Sequence, residues 1–215
     1  MGLVSYNSCF RIINYYLCTH WNFDKNMSFK PFVIRNVLNE EMIEYYDSSF
    51  IDLFSCVENP ILNHMFRGNI SYVSCPRYRR KDDIEKVRLR IEKKLKKSLY
   101  YTYVFHAEYY YESFMGPHRD NPACEVSITM HIHGDQSWPI KMIYDEKVLS
   151  FKINPGDGIV YPGPDVLHWR EPYLGEHYNQ LMFHYSSFPM NVSNEERINI
   201  IEYEQKIDKY YSKYV

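Results

Sequence analysis

Along residues 82–98 the apolar positions Ile84, Val87, Ile91 and Leu95 recur on one face at helical spacing, with Lys, Arg and Glu at most others. That pattern predicts an amphipathic helix. Residues 39–57, "NEEMIEYYDSSFIDLFSCV", repeat the helical period after "LNEE", a plausible capped start. From residue 100 the period changes. "YYTYVFHAEYYYES", "CEVSITMHIHG", "WPIKMIYD", "KVLSFKI", "GIVYP" and "NQLMFHYS" are short runs rich in β-branched and aromatic residues, separated by Gly, Pro, Asp or Asn. So many strands without intervening helices predict a barrel or sandwich rather than βαβ units. Residues 192–214 return to a helical period. The expected layout is a single domain over 1–215, with mostly helical support over 1–99, a β core over 100–190 and a C-terminal helix over 191–215. The fold class is α+β, mainly β.

Composition narrows the functions. The chain has 215 residues, 45% of them hydrophobic and 17% aromatic, enough for a sizeable core. A formal net charge of -2 speaks against nucleic-acid or membrane-surface binding driven by charge. The basic run 77–98 coincides with the second helix and reads as its solvated face. Cys9, Cys18, Cys56, Cys75 and Cys124 are scattered and odd in number, which fits free thiols in a reducing compartment. The N-terminal stretch has neither the basic start nor the cleavage site of a signal peptide, and no apolar run reaches about 18 residues. The expectation is a soluble, cytoplasmic protein without nucleic-acid or membrane partners.

Against that background "FMGPHRDNPACEVS" places His118 and Asp120 two apart, where a strand ends after a Gly-Pro turn. Downstream, "INPGDGIVYPGPDVLHWREP" reads as turn, strand, turn, and delivers His168 at the start of another segment. Two imidazoles and one carboxylate on one face leave three metal positions open, the arrangement non-haem Fe(II) uses for oxygen activation. A rolled-up β core explains the long gap, because strands distant in sequence become neighbours across a barrel mouth.

These segments resemble a known family. "AEYYYESFMGPHRD" is similar to the strand–turn–HxD entry of the prolyl-hydroxylase-like branch of the Fe(II)/2-oxoglutarate-dependent dioxygenases. "INPGDGIVYPGPDVLHWREPYLGEH" is similar to their Pro-x-Gly-Asp strand, distal histidine and following turn, and "PACEVSITM", "SWPI" and "NQLMFHY" look like phage oxygenases. The resemblance implies a double-stranded β-helix (a jelly-roll, cupin-like core) with flanking helices. It implies Fe(II) held by His118, Asp120 and His168, with 2-oxoglutarate and O2 as co-substrates. It also implies hydroxylation of an unactivated C–H, in a prolyl or other peptidyl side chain or in a free amino acid. In the family a basic residue on the strand after the distal histidine pairs with the co-substrate's far carboxylate; here that place holds His177. Lys141 sits on the strand from which another branch supplies a lysine, and Arg170 shares its side of the strand with His168. These three compete for the anchor. A Tyr of the strand leading to HxD often bonds the co-substrate, which makes Tyr103, Tyr109 and Tyr111 candidates on one face.

Further polar positions fall out of strand alternation. His131 and His133 are expected on one face as a pocket-lining pair, and Gln180, Met182 and His184 on one side of the last strand. Beside the oxygenase reading stand two others, a cupin-like metal-binding protein without oxygenase activity and an Fe(II) oxygenase independent of 2-oxoglutarate. A small molecule or a peptide is the expected partner. Nucleobase demethylation is disfavoured, because no arginine occurs between Arg170 and Arg197.

Overall fold

A computed structural model describes residues 28–51, 66–67, 70–73 and 80–187. Two helices and eleven strands follow in order: β1 Phe32–Ile34, α1 Glu40–Ile51, β2 Phe66–Arg67, β3 Ile70–Val73, α2 Lys81–Leu95, β4 Tyr100–Tyr110, β5 Phe114–His118, β6 Val126–Gly134, β7 Ile140–Tyr144, β8 Lys147–Phe151, β9 Gly158–Tyr161, β10 His168–Arg170 and β11 His177–Ser186. Asn39 starts α1, its side-chain oxygen accepting from Met42 N at 2.9 Å. In α2 the predicted stripe faces inward, with Ile84, Val87 and Ile91 buried.

The strands form two antiparallel sheets, one in the order β1-β9-β6-β11-β4-β3 and the other β2-β5-β10-β7-β8. From β4 onward the chain passes back and forth between them, β4, β6, β9 and β11 in the larger sheet and β5, β7, β8 and β10 in the smaller. That alternation makes the double-stranded β-helix. Residues before 100 also supply β1, β2 and β3, strands of two to four residues that hydrophobic periodicity does not reveal. The C-terminal helix expected over 191–215 and the 52–57 end of the first expected helix lie outside the described residues.

The larger sheet buries both of its faces. Val126, Ile128, Met130 and Ile132 of β6 pack with Leu181, Phe183 and Tyr185 of β11 into one cluster with α1 and α2. The opposite face looks into the barrel, where β6 presents Ser127, Thr129 and His131, all buried and all polar. A polar inner face on a buried strand costs free energy unless it has a ligand or hydrogen-bond partners to serve. It marks where the chemistry sits.

The turn "NPGDG" positions the sheet edge. Gly156 adopts φ +84°, and the Asp157 carboxylate accepts from Arg35 Nη1 at 2.6 Å, Asn36 N at 3.0 Å and Asn154 N at 3.1 Å. Those bonds outweigh the effect of burial and hold Asp157 below its ordinary range. Its role is to tie β1 to the barrel.

Two expectations about faces fail. His133 pairs with Asn179 and His131 with Gln180, so a β-bulge at Ile132 breaks the alternation. His131 points into the barrel and His133 is exposed on the other side. Tyr111 likewise leaves its expected face: it follows the end of β4 in a turn and is 55% exposed, while Tyr109 stays inside.

Candidate metal centre

His118 ends β5 and His168 begins β10, and the two are direct partners in the antiparallel register. Cross-strand neighbours on one face stand about 5 Å apart, so the ladder alone brings the imidazoles together, with ring centroids 4.2 Å apart. Asp120 lies two residues beyond His118, held by its backbone N bonded to Gly163 O at 3.0 Å. Asp120 Oδ1 is then 3.7 Å from His118 Nε2 and 3.5 Å from His168 Nε2. Donor atoms of the three residues all lie within 4.8 Å of one another.

The remaining atoms of the triad are committed elsewhere, as metal ligands require. His118 Nδ1 bonds Gly116 O at 2.8 Å and His168 Nδ1 bonds Val166 O at 3.0 Å. A carbonyl only accepts, so both Nδ1 atoms carry hydrogen and both Nε2 lone pairs are free to converge. Asp120 Oδ2 accepts from Ser127 Oγ at 2.8 Å, leaving Oδ1 for the centre. Burial, with His118 close by, lowers His168 to about 4, so it is neutral near pH 7. Burial would raise Asp120, but His168, His184, His118 and the Ser127 hydroxyl outweigh it and hold the carboxyl below its ordinary range. Two imidazoles and one carboxylate suit a divalent cation such as Fe(II).

The triad lies on one wall of a cleft also lined by Tyr103, Phe105, Met115, Tyr161, Gln180 and His184. Two strand positions past His168, Arg170 points to the same side and is 1% exposed. Its guanidinium stacks 4.8 Å from the Trp138 ring centroid and 5.3 Å from that of Tyr178, and Nη1 donates to Trp138 O. The Tyr178 hydroxyl stands beside the guanidinium, but Nε and Nη2 make no well-aligned hydrogen bond, and no described carboxylate pairs with the group. An uncompensated buried cation is costly, and an anionic ligand removes that cost.

The other candidates separate by face. Lys141 is opposite Trp169 in register, so it faces away from the barrel, and its Nζ bonds Glu171 Oε1 at 2.8 Å. His177 lies on the outer face of the larger sheet, its Nε2 against the Glu108 carboxylate and its Nδ1 3.4 Å from His133 Nδ1. Tyr109 is fully buried inside, its ring 4.7 Å from Trp138. His131 is stacked on Tyr178 at 4.3 Å, deep in the barrel. Gln180, Met182 and His184 share the cleft wall as alternation predicted. Sequence reasoning missed Ser127 and Gly163. Alternation in "VSITMH" could have signalled Ser127; nothing local marks Gly163.

No family model matches the sequence, and no curated protein matches it. Solved structures do. A prolyl-4-hydroxylase from Pseudomonas putida aligns at 14% identity over 82% of this chain and 98% of its own, with a TM-score of 0.57. A prolyl hydroxylase from Trichoplax adhaerens, in complex with a hypoxia inducible factor oxygen degradation domain peptide fragment, aligns at 14% identity over 81% and 88%, with a TM-score of 0.52. The fold is that of these oxygenases. HygX from Streptomyces hygroscopicus, with nickel, 2-oxoglutarate and hygromycin B bound, shares the same oxygenase fold at 11% identity over 82% and 86%, with a TM-score of 0.57. No helix among the described residues is long and apolar enough to cross a membrane.

Proposed function

We propose that this chain is a non-haem Fe(II), 2-oxoglutarate-dependent oxygenase that hydroxylates an unactivated C–H. The observation that carries this reading is the convergence of His118 Nε2, His168 Nε2 and Asp120 Oδ1, each side chain oriented by a hydrogen bond at its other polar atom. Iron at that site supplies the redox chemistry, in which 2-oxoglutarate, O2 and R–H become succinate, CO2 and R–OH. The chain's own residues bind, orient and exclude water. His118 and His168 offer their Nε2 lone pairs, Asp120 offers one oxygen, and Arg170 offers Nε and Nη2 to the far carboxylate of the co-substrate. A planar guanidinium suits a carboxylate in a way neither Lys141 nor His177 does from its place outside the barrel. Tyr103, Phe105, Met115 and Tyr161 dry the cleft, and drying strengthens every charge interaction within it.

The substrate is an amino-acyl carbon, in a prolyl or other peptidyl side chain or in a free amino acid. The peptide held by the Trichoplax adhaerens enzyme supports the first, and the small molecule held by HygX supports a compact substrate. Succinate release under Fe(II), ascorbate and air tests the activity, since such enzymes turn over the keto acid slowly even without prime substrate. The parent should release succinate and His168→Ala should release none. Arg170→Gln should raise the 2-oxoglutarate requirement about 30-fold or more, as loss of one partner of a buried charge pair costs about 2–5 kcal/mol. Lys141→Ala should leave it unchanged. A parent indifferent to 2-oxoglutarate would reject the co-substrate, and equal small effects of both substitutions would remove Arg170 from its role.

A further inference from the structure

Asp120 belongs to two groups of side chains. Oδ1 faces His118 and His168, while Oδ2 faces Ser127, with His184 and Cys124 behind. Donor atoms of Asp120, Cys124 and His184 also lie within 4.8 Å of one another, so this second group has the composition of a metal site. Its hydrogen bonds argue otherwise. Ser127 Oγ stands 2.8 Å from Asp120 Oδ2 and 2.9 Å from His184 Nδ1, and Tyr103 Oη is 2.8 Å from Cys124 Sγ. Asp120 Oδ2, His184 Nδ1 and Cys124 Sγ there already have partners from the protein.

Counting hydrogens sets the direction of the chain of bonds. A serine hydroxyl has one hydrogen to give, and an ionised carboxylate can only accept. The Ser127 hydrogen therefore goes to Asp120 Oδ2; Cys124 O is farther, at 3.4 Å, and the neighbouring Tyr161 hydroxyl can itself donate. The contact between Ser127 Oγ and His184 Nδ1 must then be donated by the imidazole. That fixes His184 as the tautomer protonated on Nδ1, on a ring 5% exposed and braced against Tyr103 at 4.4 Å.

We infer that Ser127 and His184 are positioning residues for the metal ligand Asp120. The relay from His184 Nδ1–H to Ser127 Oγ and from Ser127 O–H to Asp120 Oδ2 ties up one carboxylate oxygen and leaves Oδ1 alone to bind the ion. A carboxylate free to offer both oxygens would fill a position that the proposed oxygenase keeps for co-substrate or O2. The inference rests on the reading of His118, Asp120 and His168 as the metal ligands.

The experiment is titration of the full chain with Mn(II), followed by the visible absorption of the Co(II) form, with circular dichroism as the check on folding. Ser127→Ala should weaken Mn(II) binding about 10- to 100-fold, the usual effect of losing an outer partner of a ligand, and should alter the Co(II) spectrum. Ser127→Thr, which keeps the hydroxyl, should restore both. His184→Phe should shift both in the same direction as Ser127→Ala, and it carries the test if Ser127→Ala does not fold. Parent-like binding and spectrum in Ser127→Ala would overturn the relay, as would two Mn(II) ions per parent chain. Asp120→Ala separates the two levels. If it abolishes Mn(II) binding while Ser127→Ala does not weaken it, only the relay falls; if it retains Mn(II), the metal reading itself falls.

Discussion

At Gly163 an added β-carbon would meet Asp120 Oδ2 at 2.4 Å, Asp120 Cβ at 2.8 Å and the backbone oxygen of Cys124 at 2.7 Å. None of these can retreat cheaply: Asp120 N is itself bonded to Gly163 O, and Asp120 Oδ2 is held by Ser127. Gly163→Ala should therefore displace Asp120 from His118 and His168. The overpacking costs about 1–3 kcal/mol, or about 2–12 °C of melting temperature for a chain of this size. Mn(II) affinity should fall more than tenfold. Calorimetry and a Mn(II) titration check both numbers, and parent-like Mn(II) binding would show that the loop yields without moving the carboxylate. This residue also shows the limit of sequence reading. The convergence of His118, Asp120 and His168 is legible because the strand–turn frame brings side chains of these types together. Gly163 matters through what two loops do to each other, and its neighbours in sequence say nothing of that.

Strand β10 is three residues long, and its alternation already separates the roles, with His168 and Arg170 inward and Trp169 outward. That much of the site follows from period two, and so does the shared wall of Gln180, Met182 and His184. The same rule fails in β6 because one extra residue at Ile132 turns His133 outward, and a bulge leaves no mark in a hydrophobic pattern. The edge strands β1, β2 and β3 escape for another reason: such short segments are strands because a neighbour offers a ladder, not because of their own composition. Helix α2 is legible from its stripe but not in its end: it stops at Leu95 rather than at residue 98, and Lys96 caps it in the left-handed region at φ 53°, its N bonding Glu92 O at 2.7 Å. A side chain there costs about 1–2 kcal/mol, and glycine returns part of that as unfolded-state entropy. Lys96→Gly should raise stability by about 0.5–1 kcal/mol without changing Mn(II) affinity. A lower melting temperature would mean that the Lys96 side chain contributes more than its conformation costs.

Among the described residues four imidazoles are buried. His106, His131, His168 and His184 are each lowered to about 4, chiefly by burial, against an ordinary histidine value of about 6.5 in the unfolded chain. Between these limits the unfolded chain takes up protons that the folded one refuses. Stability is therefore fully present above about pH 6.5 and is lost as pH falls towards 4. Glu108 works the other way. Burial raises it to about 7, so the folded state keeps a proton there that an unfolded carboxyl has released above its ordinary 4.5. The net is about three protons taken up on unfolding in mid-window, at about 1.4 kcal/mol per proton per pH unit. Melting of the metal-free protein at constant ionic strength should show the midpoint dropping steadily from pH 6.5 to 4. With Mn(II) present the drop should steepen, because metal binding needs unprotonated imidazole ligands and weakens in acid. A midpoint flat across that window would mean that the unfolded chain gains no protons over the folded one. The inner face of the barrel would then be open to water, and Arg170 would have no need of an anion.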